Sequence, residues 1–236
     1  MSTGHERHLN SASPAHPIAR HATMPVEGHM NPVPVTGAVL AGGRSTRLGR
    51  DKALLTLDSE PLLARAVRLL RQVCDEVLVI GPPERAAVVP GVPVLPDERP
   101  GSGPLGGIAT ALRAMCGDRL LAVATDMPFL RPALLRYLFT ASEGFDVTVP
   151  RVDGRTHQLC AVYARACLPL IDAQLARGDY KIDRFFAQVR LRIVDEAELR
   201  PFDPELLSFR NVNTEADWQA VQALMRDGGG ATRERG

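Results

Sequence analysis

Five consecutive apolar residues, Leu120-Leu121-Ala122-Val123-Ala124, end abruptly at Thr125-Asp126-Met127-Pro128. A strand that is apolar on both faces must be covered on both, the condition of an interior strand in a parallel sheet flanked by helices. Around it, strand-like and helix-like patterns alternate, which predicts an α/β layer architecture with a mostly parallel central sheet. Strands are expected near 38–40, 77–80, 92–95, 147–149, 159–163 and 191–194, and helices near 61–73, 108–115, 132–139, 164–176 and 182–189. In the first helix Leu62, Leu63, Ala66, Val67, Leu69, Leu70 and Val73 form one stripe, with Arg65, Arg68 and Arg71 largely outside it. Near the end, Thr214 stands three residues before Asp217 as an N-terminal cap, and Trp218, Val221, Leu224 and Met225 line one face of a closing helix.

Composition narrows the function classes. The 236 residues suit one large domain or at most two small ones, and 28 Lys and Arg against 27 Asp and Glu leave a net charge of +1. No whole-chain electrostatic bias towards nucleic acid or anionic lipid follows, so neither is expected as a partner, and any anion site must be local. No membrane span or secretory signal is legible, and a cytoplasmic protein is expected. Cys74, Cys116, Cys160 and Cys167 form no CxxC pair and read as reduced thiols. Residues 1–35 hold five of the six histidines and five prolines without apolar periodicity, and are expected to be a disordered extension. The folded domain is expected over 36–226, followed by a flexible tail, 227–236.

The densest chemical signal is Leu40-Ala41-Gly42-Gly43-Arg44-Ser45-Thr46-Arg47-Leu48-Gly49-Arg50-Asp51-Lys52, directly after the first strand. Paired glycines let the backbone turn and present amides to an anion, and Arg47 and Lys52 add neutralising charge. The spacing is neither GxxxxGK[ST] nor GxGxxG. Lys52 and Lys181 are the only lysines in the chain. Asp126, just past the most apolar strand, falls at the rim where open α/β sheets bind ligands, and its carboxylate suits Mg²⁺; the alternative is a helix cap. Asp97 precedes a glycine-rich stretch, Gly101 to Gly107, expected to be a mobile loop opening a helix. Asn211 and Asn213 alternate on an extended segment and point to one side, although asparagines also serve as caps. His157 is the one histidine of the folded region, and a structural role is preferred to contact with an acceptor.

Taken in order, LAGGRSTRLGRDK, Asp97 with GPLGGI, TDMPFL, HQLCAVY and FRNVNTEAD resemble the molybdenum cofactor guanylyltransferases of the nucleotidyltransferase superfamily, over essentially all of 36–226. The resemblance implies a Rossmann-like three-layer α/β fold that uses GTP and Mg²⁺ to attach GMP to molybdopterin, releasing pyrophosphate. It further implies that Leu40, Ala41 and Gly42 contact the nucleotide through their backbone, and that Lys52 and Asp97 bind it. Asp126 would bind GTP and the metal, Arg47 would face the reacting phosphates, and Asn211 and Asn213 would lie by the pterin. Arg47, Lys52 and Asp126 are thus the expected catalytic group. Molybdenum cofactor insertion proteins or apo-molybdoenzymes are the expected protein partners. Where the family often carries a nucleotide-binding asparagine, this chain has Gly81-Pro82-Pro83. Two rivals stand beside this reading: a nucleotidyltransferase using CTP or a sugar phosphate, and a non-catalytic nucleotide-binding adaptor that delivers the cofactor.

Overall fold

The computed structural model describes residues 34–42 and 48–230; the histidine-rich segment up to residue 33, Gly43 to Arg47 and residues 231–236 lie outside the described residues. In chain order the elements are β1 (Thr36–Leu40), β2 (Thr56–Leu57), β3 (Glu60–Pro61), α1 (Leu62–Leu70), β4 (Glu76–Ile80), β5 (Val94–Leu95), α2 (Gly103–Ala114) and β6 (Arg119–Ala124). They continue with α3 (Pro132–Ala141), β7 (Val147–Val152), β8 (Arg155–Thr156), β9 (Cys160–Ala164), α4 (Leu168–Ala176), β10 (Leu191–Asp195), α5 (Glu196–Leu199) and α6 (Glu215–Gly230).

The main sheet runs β10-β7-β9-β6-β1-β4-β5, with β8 paired to β7. Pairing is parallel along β6-β1-β4-β5 and between β7 and β10, while β9 runs antiparallel to both its neighbours. The short antiparallel β2–β3 pair stands apart. Alternating side chains of the sheet feed two cores. Val39, Val79, Leu121 and Val123 meet Leu63, Val67 and Leu70 of α1 and Leu134, Leu135 and Leu138 of α3. Ala38, Leu120 and Ala122 meet Leu105, Ile108 and Leu112 of α2 and Ile171 of α4. That is the three-layer α/β arrangement expected, and β6 is covered on both faces as its composition requires.

A third cluster joins Leu48, Leu55, Leu57 and Leu62 to Val212, Trp218 and Val221. It clamps the end of the glycine motif, the β2–β3 hairpin and α6 together. The cap at α6 is reciprocal: Asp217 N donates to Thr214 Oγ1 at 3.1 Å, and Thr214 N donates to Asp217 Oδ2 at 2.8 Å. Such a cap contributes about 1 kcal/mol.

Several expectations need correction. The stretch Gly103 to Gly107 is the first turn and a half of α2, not a mobile loop. A Cβ on Gly106 would stand 2.0 Å from Ser102 Oγ, and one on Gly107 would stand 3.3 Å from a Leu40 methyl. These glycines answer to close packing rather than to flexibility. Residues 182–188 form a 3-10 helix, and the strand expected over 92–95 contracts to Val94–Leu95.

Candidate active site

Leu40 pairs with Ile80 on one side and Ala124 on the other, so β1, β4 and β6 end level with one another. Ala41-Gly42, Gly81 and Thr125-Asp126 therefore leave the sheet at one rim. From β1 the chain crosses to β4 on one side and later to β6 on the other, which makes this rim a topological switch point, where open α/β sheets hold their ligands. Ala41 N donates to Ile80 O at 2.7 Å, and a Cβ on Gly81 would lie 3.1 Å from the Ala41 carbonyl. Gly81 lets the two strand ends touch.

The N-terminus of α2 comes to the same place, because Gly107 packs on Leu40 and Ile80. Its unpaired first-turn amides and the helix dipole favour an anion there. Asp97 sits just past β5; its Oδ1 accepts from Arg99 N at 2.9 Å and stands 3.1 Å from where a Cβ of Gly106 would be.

On the β6 side, Lys52 Nζ donates to Asp126 Oδ2 at 3.0 Å and to Asn213 Oδ1 at 2.8 Å. The Lys52 and Asp126 side chains are 18% and 16% exposed, so their pairing is only weakly screened by solvent. Asp126 O accepts from Val212 N at 2.9 Å, which holds the 211–213 segment across the end of β6. Asp126 Oδ1 and Asn211 Oδ1 are buried and have no hydrogen-bond partner among the described residues. Two unsatisfied oxygens of this kind are costly unless a ligand uses them. Arg65 of α1 steadies the turn after Asp126 by donating to Pro128 O at 2.7 Å.

The positions singled out in the sequence thus fall into three groups. Lys52, Asp126 and Asn213 are in direct contact, with Asn211 two residues from Asn213 on the same segment. Leu40, Ala41 and Gly42 adjoin them through strand register. Asp97 lies across the rim on the α2 side, and no hydrogen bond links it to Lys52 or Asp126 among the described residues. Arg47 lies outside the described residues. No group of three or more His, Cys, Asp or Glu suited to a metal occurs among the described residues.

The chain and its fold are similar to those of known proteins. A family model for the MobA-like NTP transferase domain matches residues 37–193. The chain belongs to that family. A probable molybdenum cofactor guanylyltransferase of Pelotomaculum thermopropionicum is 41% identical over 182 residues, covering 77% of this chain and 89% of the relative. A molybdenum cofactor guanylyltransferase of Desulfosudis oleivorans is 32% identical, covering 82% and 97%. Among solved structures, molybdopterin-guanine dinucleotide biosynthesis protein A of Archaeoglobus fulgidus superposes with a TM-score of 0.73 at 26% identity, covering 81% of this chain and 99% of that one.

The parts that three residues play in holding the site of this MobA-like transferase escaped the sequence reading. Asp51 caps the short 3-10 turn that carries Lys52, its Oδ1 accepting from Ala53 N at 3.1 Å. Arg85, 8% exposed and beyond β4, grips the other oxygen of Asp51 at 2.6 Å. Asp217 accepts from Asn213 N at 3.0 Å as well as capping α6, and so fixes the asparagine that holds Lys52. Asp217 was legible as a cap, but nothing in its spacing announced a link to Lys52. Arg85 carries no local signal, because its partner is 34 residues away.

Proposed function

We propose that this transferase moves GMP from GTP to molybdopterin and releases pyrophosphate. The observation that carries the reading is the meeting of Lys52, Asp126 and Asn213 at the rim where the glycine motif leaves β1. A terminal phosphate oxygen of the acceptor attacks the α-phosphorus of GTP, a new P–O–P linkage forms, and the bond to the β-phosphate breaks, its electron pair leaving with pyrophosphate. A phosphate monoester is already anionic near neutral pH, so the step needs no general base.

Lys52 neutralises phosphate charge, and the α2 N-terminus with the Ala41–Gly42 backbone receives the rest of the triphosphate. The donor set fits Mg²⁺: Asp126 Oδ1 and Asn211 Oδ1 are hard oxygens left unpaired, and a magnesium ion commonly takes one or two protein carboxylates together with substrate phosphates and water. Bound there by Asp126, the ion would supply electrostatic stabilisation of the phosphates. Arg47 is assigned to the reacting phosphates, and Asn211 and Asn213 to the acceptor side.

The cytoplasm is the proposed setting. No helix among the described residues is long and apolar enough to cross a membrane, and Cys74, Cys160 and Cys167 are free thiols that burial pushes up to about 12.

The test is pyrophosphate release with molybdopterin and each of GTP, ATP and CTP, with Mg²⁺ present and absent. GTP is expected to be used well above the others, in a Mg²⁺-dependent reaction. Preference for CTP would select the rival nucleotidyltransferase, and stoichiometric GTP binding without pyrophosphate would select the adaptor.

A further inference from the structure

Away from the Lys52–Asp126 pair, a cavity of about 270 Å³ opens between the turn joining β7 to β8 and the segment before Asn211. His157, Phe209 and Leu206 form its less polar wall, and Asp153, Glu205 and Arg210 stand around it. The His157 and Phe209 rings are 4.7 Å apart and tilted by 55°. Burial holds the His157 imidazole below its usual value against the opposing effect of Asp153, so the ring is neutral at pH 7.

Three observations bear on what this cavity could hold. Leu206 is left-handed, with φ of 55°, a conformation that costs a non-glycine residue about 1–2 kcal/mol and concentrates at functional sites. From it springs the short 3-10 turn that brings Phe209 to His157, Phe209 N donating to Leu206 O at 3.1 Å. Secondly, the side chains of Glu205 and Arg210 have no hydrogen-bond or ion-pair partner among the described residues, whereas nearby Glu196 is held by Asp153 N and Arg200. Thirdly, the cavity and the reaction centre share one strip of chain. Phe209 lines the cavity, Val212 N bonds Asp126 O, and Asn213 bonds Lys52. Two residues separate Arg210 from Asn213, a span of at most about 10 Å. His157 is tied in from the other side, since Ala124 N, at the end of β6, bonds Leu159 O.

We propose that this cavity seats the planar heterocycle of the acceptor, a nitrogen-rich fused ring of the pterin class, with its phosphorylated arm extended along 210–213 to Asp126. The proposal rests on the transfer reaction above and specifies where its acceptor is recognised. A pterin edge offers ring N–H and amino donors beside a carbonyl oxygen. The Glu205 carboxylate accepts from the donors and the Arg210 guanidinium donates to the carbonyl, while the ring lies against His157 and Phe209.

The test uses the full chain with two substitutions, His157→Ala and the exposed Glu205→Gln, and two probes, 6-hydroxymethylpterin followed by fluorescence and GTP followed by calorimetry. The wild type is expected to bind the pterin saturably. Each variant should bind it about tenfold more weakly, as expected for one lost charged hydrogen bond or stacking partner, with GTP affinity within twofold of wild type. In turnover, the KM for molybdopterin should rise about tenfold with kcat within twofold. Absence of pterin binding to the wild type overturns the proposal, as do unchanged pterin affinities in both variants or parallel loss of GTP affinity. If the wild type binds the pterin in this way but releases no pyrophosphate from any nucleotide, the transfer reaction fails and the cavity assignment stands. If GTP and molybdopterin react normally while both variants keep the wild-type acceptor KM, the reverse holds.

Discussion

The two ends of the binding rim are built differently. At the β1–β4–β6 end, three strands finish in register and close approach dictates glycine: Gly81 against Ala41, Gly106 under Ser102 and Asp97, Gly107 on Leu40. At the β7–β10 end, the tight turn after β7 has Gly154 with open space around it, and the exposed surface is a set of arginine–carboxylate pairs such as Arg151–Asp195 and Arg200–Glu196. A triphosphate presents the same oxygens whatever its base, so it can be met by backbone amides placed by strand register. A particular acceptor has to be distinguished by side chains, and those are carried on turns and short helices.

The sharpest way to break this contrast is to remove the Asp126 carboxylate at the junction. Asp126→Ala should lower pyrophosphate release roughly 10³-fold at saturating GTP and magnesium while far-UV circular dichroism stays unchanged. Near-normal turnover would remove Asp126 from the reaction. Lys52→Ala should act mainly on binding, with KM for GTP up about tenfold or more and a smaller fall in kcat. Unchanged GTP saturation would count against its assignment to the phosphates.

The glycines test the contrast directly. Gly106→Ala should destabilise by about 1–3 kcal/mol and raise KM for GTP, because the new methyl displaces Ser102 or Asp97. Gly154→Ala has φ of 70° to contend with but no neighbour within 4 Å, and should cost about 1–2 kcal/mol with GTP kinetics intact. Thermal melts and GTP kinetics of both variants separate the cases, and equal GTP effects would erase the distinction.

Smaller still, Asp217→Ala should lower stability by about 1 kcal/mol, or Tm by about 2–4 °C, through loss of the α6 cap. The smallest effect concerns pH. His157 is depressed below about 6.5, so its contribution to stability is complete above that value and is lost as pH falls towards the folded-state pKa. His157→Gln should therefore flatten the fall in urea midpoint between pH 7.5 and 5.5 relative to wild type. An identical slope would mean that burial does not hold the ring neutral.

The contrast also explains what could be read in advance. The run Leu120 to Ala124 and the stripe in α1 declare sheet and helix because burial on both faces or on one leaves a period in the sequence. The reciprocal pair Thr214 and Asp217 was legible for the same local reason. The convergence of Lys52 with Asp126 and Asn213 was carried by the motifs, but their contacts cross 74 and 161 residues and could only be inferred. The GPLGG stretch misled because glycine serves both flexible loops and crowded helices, and only the lack of room for a side chain beside Ser102 decides which. Arg85 left no trace, and although His157 stood out as a lone histidine, its meeting with Phe209 did not, since each contact joins segments with no shared period. Strand direction was equally silent: nothing in residues 159–163 foretold that β9 would run against its neighbours.

The central place of β1 sets how this molecule opens. Its amides and carbonyls are bonded on both sides, to β4 and to β6, while β5 and β10 stand at the margins. Slow hydrogen exchange should accordingly concentrate in β1 and β6, and partial unfolding should begin at the outer strands. Breathing at the periphery then loosens the acceptor end before it reaches the strands beneath the phosphates, so the enzyme can lose its grip on one reactant while retaining the other.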